Sequence, residues 1–478
     1  MINITTKIHD KFSIEFKVGF SGSERDANSN FNVNTWFFIP NSLDINSGTY
    51  GKDHFYRDVK SNIRLITPEF SMLEMVEYEA IPLNNLKQSL KSFLAHQIGS
   101  TDLEFQVKMF CAIFKSALRN SVREILHGTD ESAMPSLCRN LVDGIQQVTL
   151  EYRKLVAQAS ETIGGMEAFF YGDEYMSHII SVQLTRAVRK LDRMASTEGR
   201  ALLVDLIQKE IQYKEKVGYS HVYDEDDKAN RELVVKHGQL KKYIESALFL
   251  KMDTSDDGAA VKQLTFGVAA GIAMLISTLI ALPFQKYLGN YPALIFIILI
   301  VAYMFKDRIK EMMRNLFAYR LKSKFFDHKT VLHFKDETIG WIKEGMDFIN
   351  DAKTPEEVLK LRKRSHLEAD NALQQERTIL YRKQVNINNQ RLRNQFEYVF
   401  AGINDILRFH IQSYVRKMDD PILTIDTVNA DGQIETIPTA RIYNVHVVLQ
   451  FIYDDQVEYR AFRIAATRDG ILEVKELS

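Results

Sequence analysis

Between Leu264 and Phe305, LTFGVAAGIAMLISTLIALPF and YPALIFIILIVAYMF flank the short break QKYLGN inside an otherwise charged sequence. The run from Leu264 to Phe284 carries no ionisable side chain. At roughly 1.5 Å per residue its length is about 30 Å, the hydrocarbon thickness of a bilayer. The second run is shorter unless Tyr287 to Tyr291 joins it. A core helix of a soluble domain keeps a polar stripe where it meets solvent, whereas Leu264–Phe284 is apolar or small all round. Tyr287, Tyr291 and Tyr303 lie near the ends, where interfacial rings belong. The segment therefore reads as a two-helix transmembrane hairpin.

The flanks set the expected orientation. Lys306, Arg308, Lys310, Arg314, Arg320, Lys322 and Lys324 follow the second run against only Asp307 and Glu311, and the break between the runs offers only Lys286. The positive-inside bias puts both long flanks in the cytoplasm. MINITTKIHDKFSIEF has no apolar leader core, so nothing directs the first 260 or so residues across a membrane. The expectation is an integral protein of the inner or plasma membrane with two spans and both termini cytoplasmic.

Within the first run, Gly267 and Gly271 form a GxxxG pair, and Ala269, Ala273 and Ser277 extend a stripe of small side chains that permits close helix contact. That stripe serves either the second helix of the same chain or a second copy. The basic side chains from Lys306 to Lys324 are interleaved with Phe305, Met312, Met313, Leu316, Phe317 and Tyr319. This pattern suits contact with anionic lipid headgroups.

Outside this segment the pattern changes twice. Ile14, Phe16, Val18 and Phe20 alternate with Ser13, Glu15, Lys17 and Gly19, and Phe31, Val33, Thr35, Phe37 and Ile39 alternate likewise, so residues 1–80 read as a β region. From 83 to 252 the period is helical. Leu137, Leu141, Ile145, Val148, Tyr152 and Leu155 line one face, and breaks near Gly128–Asp130, Gly164–Gly165, Thr197–Gly199 and Tyr219–Asp227 divide a cytoplasmic bundle. The basic segment 306–350 reads as continued helix. Thr354-Pro355-Glu356-Glu357 starts a further long helix or arm over 355–418, with coiled-coil-like spacing at Phe396, Val399, Ile403 and Ile406. Residues 421–478 return to a β meander, in which Tyr443 to Tyr453 and Val457 to Ile464 pair around Asp454-Asp455. The expected fold class is an α+β membrane protein, mainly helical, with N-terminal and C-terminal antiparallel β regions and the transmembrane hairpin at 264–305.

The chemistry is sparse. The 61 basic and 62 acidic residues give a net charge of −1, without the global basic field of a nucleic-acid binder, and no nucleic-acid partner is expected. Cys111 and Cys138 suit a reducing compartment, as small core side chains. Gly48-Thr49-Tyr50-Gly51-Lys52-Asp53 lacks the spacing of a phosphate loop and reads as a turn, and Gly19-Phe20-Ser21-Gly22-Ser23 falls short of a nucleophile elbow. His328 and His333 are five apart, Asp224 to Asp227 lacks the rest of a calcium loop, and His446 reads as a packed or surface side chain. No nucleotide, metal or catalytic signature stands out, and no cofactor is expected.

The function these patterns suggest is a non-enzymatic, membrane-anchored cytoplasmic scaffold or assembly protein. Its expected partners are the lipid bilayer and either a second copy or another protein. The alternative is an oligomeric pore lined by Thr265, Ser277 and Thr278 and gated by the cytoplasmic domains.

Overall fold

A computed structural model describes residues 2–20, 27–77, 81–160, 167–194, 196–222, 226–287, 292–322, 325–362, 376–398, 402–453 and 456–477. The chain opens with strands β1 (Ile2–Asp10), β2 (Ser13–Phe20) and β3 (Asn28–Pro40), followed by the short helix α1 (Lys52–Asp58) and β4 (Val59–Leu65). Six helices follow: α2 (Ile81–Leu94), α3 (Ser100–His127), α4 (Met134–Ser160), α5 (Glu167–Arg193), α6 (Thr197–Val217) and α7 (Asp227–Glu245). Strand β5 (Lys251–Asp256) leads into two long helices, α8 (Ala259–Tyr287) and α9 (Pro292–Lys322). Then come β6 (His328–Phe334), β7 (Glu337–Ile349), α10 (Glu356–Arg362), β8 (Glu376–Asn388) and β9 (Ile403–His410). The chain ends in β10 (Ile422–Val428), β11 (Ile434–Ala440), β12 (Tyr443–Tyr453), β13 (Gln456–Thr467) and β14 (Gly470–Leu477).

The strands form two large antiparallel sheets, ordered β1-β2-β9-β4 and β14-β13-β12-β3-β8-β7-β6-β5, plus a β10-β11 ribbon. Strand β3 joins the two ends of the chain, pairing with β12 on one side and β8 on the other. The sheets face each other through aromatic side chains: Phe16 meets Phe462 at 5.5 Å and Phe37 meets Phe409 at 4.7 Å between ring centroids. Alternation explains β3, because Phe31, Val33, Phe37 and Ile39 enter this core while Trp36 and Phe38 turn to a smaller cluster that α10 covers with Val358.

The helices build on the same core. In α4, Leu141, Ile145, Val148, Tyr152 and Leu155 are buried on one face, and Phe105 of α3 meets Phe334 of β6 edge to face at 5.9 Å. Gly218 takes φ 82° to end α6, a left-handed cap that glycine adopts without steric cost. Asp226 caps α7 by accepting from the Ala229 amide at 2.9 Å. The break expected near Thr197–Gly199 falls just before that position, between the end of α5 at Arg193 and the start of α6 at Thr197, and the expected stop at Gly164–Gly165 lies outside the described residues.

Several expectations are corrected here. The chain is a mixed α/β protein with large antiparallel sheets, and the two-span membrane hairpin is not supported. Among the described residues one helical stretch, Ala259–Leu279 in α8, is long and apolar enough to cross a membrane. The physical reason lies in α9: its apolar stretch starts at Pro292 and meets Lys306 after about 21 Å, short of the roughly 30 Å a span needs. The expected placement as an integral protein with two spans and both termini cytoplasmic loses its basis with it. Helix does not continue to Asn350 either, since α9 ends at Lys322 and β6 and β7 follow. The expected long helix over 355–418 is replaced by α10, β8, a short helix at Asn389–Gln395 and β9.

Candidate functional site: the apolar helical arm

The element with no counterpart in the packed body is the α8–α9 pair, and the sequence explains its position. Strand β5 pairs with β6 in register from Lys251↔His333 to Asp256↔His328. The arm therefore leaves the sheet and returns to it at neighbouring strands. Its root is clasped. Asp257, buried, accepts from the Phe326 amide at 3.1 Å and pairs with Lys343 at 3.2 Å. Gly258 takes φ 70° against the Phe325 ring, where a Cβ would stand only 2.6 Å from it.

Beside that root, Asp327 accepts from Tyr56 Oη at 2.9 Å and from the Met346 amide at 2.8 Å, and pairs with Lys52. Burial alone would raise this carboxyl, but the Lys52 ammonium and the amide and phenol donors outweigh it and hold it below the usual carboxylate value.

Along the arm, Ala269 and Ala273 are fully buried against α9, Ala302 faces them, and Ser277 Oγ donates to the Ala302 carbonyl at 2.7 Å. Spacing by four puts these three α8 positions on one face. Gly267 and Gly271 lie on another: a Cβ built at either meets nothing within 4 Å. The small-residue stripe is thus split, with Ala273 and Ser277 serving the α8–α9 contact and the two glycines facing open space. Arg314 sits over the Phe266 ring at 4.5 Å and Lys306 over Tyr303 at 4.0 Å. Arg308 and Lys310 are exposed. The side chains of Arg320 and Lys322, and all of Lys324, lie outside the described residues.

Among the described residues of the arm, large apolar side chains stand uncovered on both helices. Leu264 is 70% exposed, and Met274 and Phe296 are each 65% exposed. Leu275, Leu279, Ile297, Tyr303 and Met304 are also exposed. So many large apolar side chains left in water along two paired helices suit an interaction surface.

Several other polar features are structural. Thr265 and Thr278 donate to the Val261 and Met274 carbonyls of their own helix. Arg153 bonds Asp173 at 3.1 Å and Glu210 at 2.8 Å, with Tyr213 and Ser177 completing those carboxylates at 2.6 Å and 2.7 Å, so the cluster is closed on itself. His328 and His333 face Asp256 and Asp253 across the β5–β6 ladder at 3.8 Å and 3.2 Å. His446 is fully buried, 3.6 Å from Glu376, which Arg362 grips with two bonds of 2.7 Å.

Cys111 and Cys138 are buried and unbridged. Gly48 to Asp53 is a turn around Asn46 that runs into α1. Among the described residues, no group of three or more His, Cys, Asp or Glu is placed to hold a metal ion. Comparison with protein-family models, with curated proteins and with solved structures finds no match.

Proposed function

We propose that this protein is a non-enzymatic assembly protein held at a lipid surface by the α8–α9 arm, which meets the bilayer from one side. The exposed apolar surface of the arm carries this reading. Each leucine- or phenylalanine-sized side chain that leaves water for hydrocarbon stabilises the contact by about 1.5–3 kcal/mol. The arm's root on adjacent strands β5 and β6 brings both of its ends back to the folded body. Lys306, Arg308 and Lys310 follow the apolar part of α9, which suits a position among anionic headgroups.

The assembly role rests on the β10–β11 ribbon. Both of its strands are exposed throughout, with Ile422, Ile425, Val428 and Ile434 uncovered, and its edges offer unpaired backbone groups to a second copy. A pore is the weaker reading. The hydroxyls of Thr265, Ser277 and Thr278 are engaged with helix carbonyls, which supports attachment over conduction.

Flotation of the purified chain with vesicles of phosphatidylcholine and phosphatidylserine tests the attachment. The wild-type chain should float, and Met274→Glu combined with Phe296→Glu should leave it in the bottom fraction with unchanged circular dichroism. Equal flotation of the two chains, or no flotation of the wild type, would sink the reading.

A further inference from the structure

Away from the arm, α3 and the outer face of the β1-β2-β9-β4 sheet enclose a concave space of about 410 Å³. Its chemistry is one-sided. Ser116, Arg119 and Arg123 of α3 are spaced by three and four and share one helix face. From the sheet come Lys17 of β2 and Arg64 of β4. Strand register brings these two together: Gly19, two residues from Lys17, stands opposite Asn404 of β9, and Asn404 stands opposite Arg64. Four cations thus converge on one hollow, and among the described residues Glu69 is the one acid that lines it.

These charges are poorly compensated. Among the described residues Lys17, Arg119 and Arg123 form no ion pair. Arg64 pairs, among the described residues, only with Glu245, at 3.9 Å, and Glu245 also binds Lys115. Arg119 donates instead to the neutral Ser116 hydroxyl at 3.1 Å. Burial, followed by the Arg64 and Arg119 guanidiniums and with a smaller push from Lys7, outweighs the Glu15 carboxylate and brings the Lys17 ammonium down to about 8. Partial desolvation, Arg123 and Arg64 lower Arg119 as well. A fold that holds like charges together in a walled hollow focuses positive potential there, and guanidinium forks match phosphate oxygens in geometry as well as charge.

We propose that this hollow binds a phosphate-rich anion, with Lys17 and Arg64 holding it from the sheet and Arg119 and Arg123 closing over it from α3. The volume suits a small molecule or headgroup carrying two or three phosphates. The site is separate from the arm, so it stands or falls independently of attachment to lipid.

Titration calorimetry of the full chain with inorganic tripolyphosphate tests it. One-site binding is expected, weakened at least tenfold by Arg119→Glu with Arg123→Glu, both at exposed positions, in a chain whose circular dichroism is unchanged. Arg186→Glu with Arg189→Glu, two exposed positions elsewhere on the helical surface, matches that change in net charge and should leave the affinity unchanged. At pH 8, the anion restores the Lys17 charge and also gives up its own last proton to the cationic site, so the wild-type chain should take up more protons, or release fewer, on binding than the Lys17→Met chain does.

A second arm uses vesicles carrying a bisphosphorylated inositol lipid with the Met274→Glu, Phe296→Glu chain, whose own attachment is disabled. Flotation that depends on Arg119 identifies a lipid headgroup as the source of the phosphates, and tripolyphosphate binding without flotation identifies a soluble one. No binding in either arm, or binding indifferent to the arginine substitutions, overturns the proposal.

Discussion

Single side chains decide where the sequence could be read and where it misled. In β8, Ile379, Tyr381, Val385 and Ile387 face the core in strict alternation, but Lys383 occupies the central place in that row. A lysine there breaks the apolar period, and with neither glycine nor proline nearby the segment passes for helix. Lys383 is in fact only 1% exposed, and its ammonium meets Asp405 of β9 at 2.7 Å, tying one sheet to the other. Only the fold, which brings residues so distant in sequence together, shows that the charge is paired.

His178 and His237 were equally silent in sequence, yet their rings stack at 3.4 Å between α5 and α7. Burial, then the neighbouring ring and Lys214, lowers His178 to about 3. Burial, then Lys214 and Lys236, lowers His237 to about 4. Unfolded, both titrate near 6.5. Between those values the unfolded chain binds more protons, so this contribution to stability is complete above about pH 6.5 and is lost as pH falls toward 4. Thermal midpoints measured from pH 7 to about 4.5 should drop less in a His178→Phe, His237→Phe chain than in the wild type. Parallel curves would show that the pair does not titrate as described.

At the scale of elements, strands with clean alternation and helices with clean stripes were legible, as β2, β3, β12 and α4 show. The basic hollow was not. Lys17, Arg64 and Arg119 are unremarkable in isolation, and strand register with helix packing is what assembles them. The α8–α9 pair was visible as apolar sequence, but which small residues make its seam was not.

The seam predicts opposite responses to the same substitution. Ala273→Leu forces a large side chain into a fully buried contact and should destabilise the pair by about 1–3 kcal/mol. Gly267→Leu enters open space and should leave the pair intact. Disulfide formation between Ser277→Cys and Ala302→Cys, whose parent residues share a hydrogen bond, reports on the pair: it should fail with Ala273→Leu and persist with Gly267→Leu. Loss of the crosslink in both would show that the glycines also belong to the seam.

For the molecule as a whole, the topology separates the arm from the body. The main core holds the two large sheets and α2 to α7, and among the described residues α8 and α9 contribute none to it. The arm's two ends are already joined by the β5–β6 ladder and by Asp257 with Phe326, so the connection between them does not have to be helical for the sheet to close. Loop-closure cost grows only as the logarithm of length, and a shorter link is no entropic burden provided the ladder's register is kept. Replacing residues 259–324 by a short Gly-Ser link, with Asp257, Gly258 and Phe325 to Asp327 retained, should therefore leave the thermal midpoint of the body and its tripolyphosphate affinity unchanged while removing flotation with vesicles. If the shortened chain fails to fold, or folds and still floats, the division of the molecule into a folded body and a lipid-seeking arm is wrong. A drop in tripolyphosphate affinity alone would instead mean that the arm's root, through β5 and the Phe249 bridge to Arg64, helps to set the geometry of the basic hollow.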